Sequence, residues 1–100
     1  MKILITTQYR ENYGTESDPY WKNKGGDEYY ILGVDPLKTA PGVLVEQVRG
    51  RIEYTNPRSE EYILDWQLVP DDFQTDFERD QLLFDGEIRY PTHVIELEAV

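Results

Sequence analysis

Six acidic side chains in the second half of the chain are the residues whose spacing best indicates a chemical role. Asp72, Asp76 and Asp80 recur every four residues, so in a helix rising about 1.5 Å per residue they would lie about 6 Å apart. Neighbouring phosphates on a nucleic-acid strand have a similar separation. The pattern predicts a phosphate-mimicking surface that binds a basic groove by charge complementarity. Its residues are Asp72, Asp76, Glu78, Asp80, Asp85 and Glu87.

The same acids also have an ordinary explanation. Carboxylates at a helix N-terminus compensate the helix dipole, and acids on the exposed face keep a helix solvated. Surface charge alone is weakly diagnostic, so the sequence favours this ordinary role over a role in binding.

The net charge restricts the class of partner. The chain has 20 acidic and 10 basic residues and a formal charge of −10, which argues against a protein that binds nucleic acid by neutralising phosphates. Residues 1–52 hold seven acidic and seven basic side chains, whereas residues 53–100 hold thirteen and three. The whole excess of negative charge therefore lies in the second half.

An aromatic-rich stretch, Thr7–Tyr30, is the second candidate binding region. It mixes aromatic rings with glycines and charges and shows no regular period. Exposed rings forfeit burial energy, so the stretch is expected to pack on the domain or on a partner, and the sequence favours neither. The rings that would contact a partner are Tyr9, Tyr13, Tyr20 and Trp21.

Inside this stretch lies a basic, glycine-containing cluster made of Lys22, Lys24, Gly25 and Gly26. Consecutive backbone amides beside ammonium groups can hold a phosphate, which makes the cluster a candidate phosphate site. The order of residues is not that of a Walker loop, however, and an exposed turn is the better interpretation.

No other residues form a recognisable catalytic or metal-binding pattern. The chain has no cysteine, and its one histidine, His93, cannot supply a multi-histidine metal site and is expected to be structural. We therefore predict a protein that is not an enzyme and has no cofactor and no metal. The lack of cysteine and of a long apolar segment favours the cytoplasm over secretion or a membrane.

Hydrophobic periodicity predicts four strands and two helices. Pro41–Tyr54 fits a helix capped by Thr39 better than a hairpin, because Arg49–Gly50 is a poor two-residue turn. Asp71 and Gln74 fit a capping box for a second helix that ends at Asp85–Gly86 and carries three phenylalanines on one side. The strands are Lys2–Gln8, Glu28–Val34, a central strand over Tyr62–Val69, and Thr92–Ala99.

These elements predict a single α+β domain over residues 1–100. We expect one small sheet of about four strands, two helices packed on one face of it, and a long ordered aromatic-rich loop between the first two strands. Those two strands are expected to be neighbours, since the loop closes between them.

Three short strings resemble a known group of proteins. The chain contains TQYRENYG ending at Gly14, PYWKNKGG over 19–26 and EEYILDW over 60–66. These strings resemble those of small proteins encoded by bacteriophages and prophages, a group for which no activity or site residue can be transferred. The resemblance implies a phage-type protein in the cytoplasm of a host cell.

The sequence thus predicts a non-enzymatic accessory protein that binds and inhibits a host or phage protein, such as a nucleic-acid enzyme or a defence machine of the kind anti-CRISPR proteins target. It predicts no direct binding to nucleic acid or membrane. One alternative is a nucleotide- or phosphate-binding domain or enzyme that uses residues 8–30. Another is a structural or assembly subunit. The sequence leaves open whether the protein forms a homo-oligomer.

Overall fold

The computed structural model describes residues 1–97, so the end of the strand predicted over Thr92–Ala99 lies outside the described residues. Neither helix in the described part is long and apolar enough to cross a membrane. The elements in chain order are β1 (Lys2–Asn12), β2 (Trp21–Asn23), β3 (Glu28–Ile31), α1 (Pro41–Ile52), β4 (Tyr54–Thr55), β5 (Ser59–Val69), α2 (Asp76–Asp85) and β6 (His93–Val94).

The strands of residues 1–97 form one mixed sheet with β1 at its centre. The order across the sheet is β4-β5-β1-β3-β6, and β2 pairs with the far end of β1. Every pair is antiparallel except β3 with β6. The α+β class with two helices is confirmed, and so is the pairing of β1 with β3. Six strands are present where four were expected. β5 is an interior strand, as expected, with β1 on one edge and the two-residue β4 on the other, although the middle of the sheet is β1.

Both edges of β1 are paired. One edge pairs with β5 from Lys2 to Glu11. The other edge pairs first with β3 and then, at its last three residues, with β2. The register with β5 shifts between Thr6 and Thr7, which leaves Leu64 as the extra residue of a bulge.

Side chains on the two faces of β1 belong to different apolar clusters. Ile3 and Ile5 are fully buried and pack with side chains of α1. Leu4, between them, packs with Tyr30 and Val69. Because successive side chains of a strand point to opposite faces, the sheet is covered on both faces here.

α1 covers the face of Ile3 and Ile5. Its buried side chains are the apolar stripe that the sequence predicted: Leu44, Val45, Val48 and Ile52. The helix, rather than the alternative hairpin, is therefore confirmed. The N-cap is Ala40 instead of Thr39, and it makes no side-chain cap, so the N-terminus relies on Pro41, whose missing N–H needs no partner.

α2 is attached to the opposite face, so the expectation that both helices share a face is wrong. Tyr30 packs against Leu4, and its hydroxyl donates to Glu78 in the first turn of α2 at 2.8 Å. Phe73, just before α2, packs on the cluster of Leu4, Tyr30 and Val69. The Lys2 ammonium donates to the carbonyl oxygen of Phe73 at 2.7 Å.

The aromatic-rich stretch is less of a loop than the sequence indicated. β1 continues to Asn12, and β2 pairs back onto it. The buried Asn12 organises the turn between them, because its Oδ1 accepts from the amides of Gly14 and Tyr20, both at 2.9 Å. The irregular parts are the connections 13–20 and 24–27.

The connection 24–27 runs very close to β1. The amides of Thr7 and Tyr9 donate to the carbonyls of Asp27 and Gly25. A Cβ atom on Gly26 would lie 1.8 Å from the Thr7 carbonyl oxygen. Since both partners are backbone, the approach requires glycine at this position.

We predict that Gly26→Ala lowers the free energy of unfolding by about 2 kcal/mol or more, because β1 and the connection must move apart. Gly50→Ala is the matched control. A Cβ there meets nothing within 4 Å, and glycine in a helix interior costs about 1 kcal/mol, so this variant gains stability. Urea unfolding followed by circular dichroism measures both. A Gly26→Ala protein as stable as the parent would contradict the close approach.

Candidate functional site

α2 begins at a capping box that lies further along the chain than the predicted one. Thr75, not Asp71, is the N-cap, and its hydroxyl accepts from the Glu78 amide at 3.2 Å. In return, the Glu78 carboxylate accepts from the Thr75 amide at 3.1 Å. The helix therefore starts at Asp76, and Gln74 lies outside it.

Glu78 is not on the acidic surface to which the sequence assigned it. It is 6% exposed, and its Oε1 also accepts from the hydroxyls of Tyr30 at 2.8 Å and Thr92 at 3.1 Å. Burial alone would raise the pKa of Glu78, but hydrogen bonds from the Thr75 amide and the two hydroxyls outweigh it and hold the pKa below its ordinary value. Glu78 is thus an ionised anchor that joins α2 to β3 and to the segment before β6.

The second buried side chain of α2 is polar as well. Gln81 donates from Nε2 to the Tyr90 carbonyl at 2.8 Å, and its Oε1 accepts from the amides of Arg89 and Tyr90 at 2.9 and 2.7 Å. Helices of globular proteins usually bury an apolar stripe. α2 is instead held in place chiefly by hydrogen bonds at Glu78 and Gln81.

Three of the four large apolar side chains of α2 are largely exposed, and the fourth, Leu82, is half-buried. Phe77 is 56% exposed, Leu83 80% and Phe84 87%. Phe77 and Phe84 are seven residues apart, which places them on the same side of the helix. Asp76 and Asp80 lie beside them and are exposed too. These five side chains are called the α2 surface below.

A groove of about 730 Å³ adjoins the α2 surface at Phe77. Tyr90 and His93 contribute further rings to its lining, and Asp27 and Glu28 contribute carboxylates. Arg89, which pairs with Glu87, also lines the groove. The groove therefore combines aromatic surface with two carboxylates and one arginine.

The carboxylates around this groove influence one another. Burial raises the pKa of Glu28, and the negative charges of Asp76 and Glu78 raise it further. A site where acids repel each other in this way attracts a positively charged group.

The acids predicted for the surface no longer form one helical row. Asp72 lies in the turn before α2, so the row within the helix consists of Asp76 and Asp80. Asp76 is also paired with Arg79 one turn later. The exposed members of the predicted set are Asp72, Asp76, Asp80, Asp85 and Glu87.

The aromatic residues predicted for binding are not gathered into one patch. Tyr13 and Tyr20 are exposed, by 54% and 61%. Trp21 is half-buried, with the Arg10 guanidinium 5.1 Å from its ring centre. Trp21 lies opposite Asn12 in the strand register, so alternation along β1 places it on the face away from Tyr9.

The basic cluster takes part in strand pairing and in contacts with Tyr13. The ammonium groups of Lys22 and Lys24 lie 5.7 and 5.0 Å from the centre of the Tyr13 ring. The Lys24 amide donates to the Tyr9 carbonyl at 2.8 Å, and the Asp27 amide to the Thr7 hydroxyl at 2.9 Å. These two amides on either side of Gly25 and Gly26 are therefore not available to a phosphate.

His93 stacks on a tyrosine instead of joining a cluster of ligands. Its ring centre lies 5.9 Å from that of Tyr29. Within residues 1–97, no group of three or more histidine, aspartate or glutamate side chains is placed to hold a metal ion.

Neither the anchor of α2 nor the exposure of its rings was predicted from the sequence. One signal was present, because Thr75 and Glu78 match the Ser/Thr-x-x-Glu capping pattern better than Asp71 and Gln74 do. The contributions of Tyr30 and Thr92 had no local signal, since they come from distant parts of the chain.

Comparison of the chain with models of protein families, with curated proteins and with solved structures finds no match.

The lowered pKa of Glu78 predicts a pH-dependent contribution to stability. A carboxylate with a depressed folded-state pKa stabilises the fold above its unfolded pKa, about 4.3, and loses that effect as the pH falls through the folded value. Glu78→Gln should therefore be less stable than the parent at pH 7 by about 1–3 kcal/mol, and the difference should shrink below about pH 4.3. Urea unfolding from pH 3 to 7 measures this, with the exposed Glu87→Gln as control. A difference that stays constant with pH would contradict the ionised anchor.

Proposed function

We propose that this protein is a non-enzymatic binding protein that docks its α2 surface into a basic groove of a partner protein. The observation that carries the proposal is a helix whose two buried side chains are polar and whose phenylalanines lie in solvent. Monomeric proteins rarely expose contiguous large apolar side chains, and such patches mark interaction sites.

The arrangement of the rings supports docking of a helix in a groove. Phe77 and Phe84 have the i, i+7 spacing with which an amphipathic helix inserts anchors into an apolar groove. Phenylalanines that are exposed in the free protein and buried in a complex gain about 1.5–3 kcal/mol each. α2 can present them without refolding, since Glu78 and Gln81 already fix the helix to the domain and both rings are largely exposed.

The charges around the rings favour a basic partner. Asp76 and Asp80 flank the phenylalanines, and Asp27 and Glu28 line the adjoining groove. The second half of the chain carries the whole net charge of −10. Opposite charge accelerates encounter with a positive surface and excludes other acidic proteins.

Proteins that handle nucleic acid present such positive grooves, and a protein seated there would exclude the nucleic acid. We therefore propose inhibition of a nucleic-acid enzyme or defence machine in the cytoplasm of a host cell, in line with the resemblance to phage-encoded proteins. In this proposal the acids set the association rate and the rings set the affinity. Salt should accordingly slow association more than it speeds dissociation.

Capture on immobilised protein tests the proposal. We predict that the parent retains basic, nucleic-acid-binding proteins from a nuclease-treated bacterial lysate, and that Phe84→Ser reduces their recovery at least tenfold. Loss of a central aromatic anchor costs about 2 kcal/mol or more. The matched control is Leu37→Ser, because Leu37 is 96% exposed and lies outside the α2 surface. Quantitative mass spectrometry of the bound fractions provides the measurement.

Two results would contradict the proposal. One is equal recovery of the same proteins by the parent and the Phe84→Ser variant. The other is a parent that light scattering shows to be a dimer and that Phe84→Ser converts to a monomer, since the rings would then serve self-assembly.

Charge reversal by Asp76→Lys with Asp80→Lys should slow association with the partner without unfolding α2, because both side chains are exposed.

A further inference from the structure

A second, smaller cavity lies between β1, β4 and the connection 24–27. Its volume is about 270 Å³, below the range of about 300–1,000 Å³ that is typical of sites for drug-sized ligands. It therefore suits a small headgroup. The lining residues are Tyr9, Lys24, Gly26, Asp27, Tyr54 and Glu61.

The chemistry of this cavity centres on a buried carboxylate. Glu61 is 8% exposed, and its Oε2 accepts from the Thr7 hydroxyl at 2.8 Å and from the Tyr29 hydroxyl at 3.3 Å. These two bonds hold the carboxylate in one orientation. No cationic side chain of residues 1–97 forms an ion pair with it.

The other oxygen of Glu61 is available to a ligand. Oε1 has no hydrogen-bond partner among the described residues, and none of their side-chain oxygens is both buried and unpartnered. Oε1 is therefore accessible to solvent, and Glu61 lines the cavity. A carboxylate oxygen held in this position is a ready acceptor for a charged N–H donor.

A second carboxylate, that of Asp27, also lies near the Tyr29 hydroxyl. The Tyr29 hydroxyl is 3.5 Å from Asp27 Oδ2 as well as 3.3 Å from Glu61 Oε2. Burial raises the pKa of Tyr29 to about 12, and the charges of Glu61 and Asp27 contribute, so the hydroxyl keeps its proton at neutral pH. The neutral Tyr29 hydroxyl therefore does not balance the negative charge of Glu61 or Asp27.

Lys24, which also lines the cavity, has other partners for its ammonium group. Its Nζ lies 5.0 Å from the Tyr13 ring centre. Contacts with Tyr13, and then the charge of Glu11, raise the pKa of Lys24. Asp27, Glu61 and the rings of Tyr9 and Tyr54 thus line a cavity whose one cationic lining residue, Lys24, is engaged by Tyr13.

We infer that this cavity binds an organic cation, namely a primary ammonium or guanidinium group on an alkyl chain. Glu61 Oε1 accepts from the cation and Asp27 adds a second negative charge. The rings of Tyr9 and Tyr54 flank the cationic group, and aromatic faces attract such groups electrostatically. The cation comes either from a free amine or from a lysine or arginine side chain of another protein.

NMR titration of the whole protein tests the inference. The probes are n-butylammonium, methylguanidinium, and the Nα-acetyl amides of lysine and arginine, at constant ionic strength maintained with sodium chloride. We expect saturable shifts of amides in residues 7–9, 24–27 and 61 with at least one probe. If all four probes bind, a free alkyl cation is enough to occupy the cavity. If only the Nα-acetyl amides of lysine and arginine bind, the ligand is a side chain of another protein. An absence of saturable shifts with every probe would overturn the inference.

A pair of neighbouring variants shows whether the carboxylate is responsible. Glu61→Gln keeps the size of the side chain and an oxygen for the Thr7 hydroxyl, and it should weaken binding at least tenfold. Glu60→Gln is the matched control, because it removes the same charge from a residue that pairs with Arg10 at 2.9 Å outside the cavity. Equal loss of binding in both variants would attribute the effect to net charge and overturn the inference.

A second site variant covers the case in which Glu61→Gln does not fold. Tyr54 is 44% exposed and belongs to a two-residue edge strand, so Tyr54→Ala leaves the core intact. It removes one ring from the cavity and should weaken binding at least threefold. Unchanged affinity in Tyr54→Ala would exclude the aromatic part of the site and overturn the inference.

Discussion

The hydrogen bond from the Tyr30 hydroxyl to the buried carboxylate of Glu78 determines how the second half of this protein is arranged. It spans 48 positions of the chain and joins β3 to the first turn of α2. The same carboxylate closes the capping box with Thr75 and accepts from Thr92. A buried acid is tolerated only when such donors satisfy it, so β3, α2 and the segment before β6 must come together at this point.

This anchor explains why α2 exposes its rings. Glu78 and Gln81 are the buried side chains of α2, and Phe77 and Phe84 lie beside them on a flank of the helix and remain largely exposed. A helix attached by polar contacts contributes little apolar burial to the fold. Its exposed rings lower the solubility of the free protein. Such a surface is useful when a partner covers it. In the proposed function, the acids beside the rings favour a positively charged partner.

Much of the fold could be predicted from local patterns. The alternation of Ile3 and Ile5, and the helical spacing of Leu44, Val45 and Val48, identified β1 and α1 because both elements bury a regular stripe. α2 was placed too early since Asp71 and Gln74 also satisfy the capping spacing. Tyr30 and Thr92 favour the capping box of Thr75 and Glu78, because both hydroxyls donate to Glu78. These contacts join distant parts of the chain and leave no local signal. β2 was missed because three residues without an apolar alternation give no signal.

The candidate site was predicted in part. The acids Asp76 and Asp80 were identified as exposed on one flank of a helix, and they are. The sequence placed the phenylalanines on one side of the helix, and periodicity shows that residues share a side without showing what covers that side. In the structure the buried side chains of α2 are Glu78 and Gln81, and both phenylalanines remain largely exposed.

The three phenylalanines of the chain allow the most direct test of this arrangement. Fluorine NMR of protein labelled with fluorophenylalanine, recorded in H₂O and in D₂O, reports the solvent contact of each ring. Phe77 and Phe84 are predicted to show large solvent isotope shifts, and the half-buried Phe73, which packs on Leu4 and Tyr30, a small one. Small isotope shifts for all three rings in the monomeric protein would show that α2 packs its phenylalanines inward, and would contradict the polar attachment of α2.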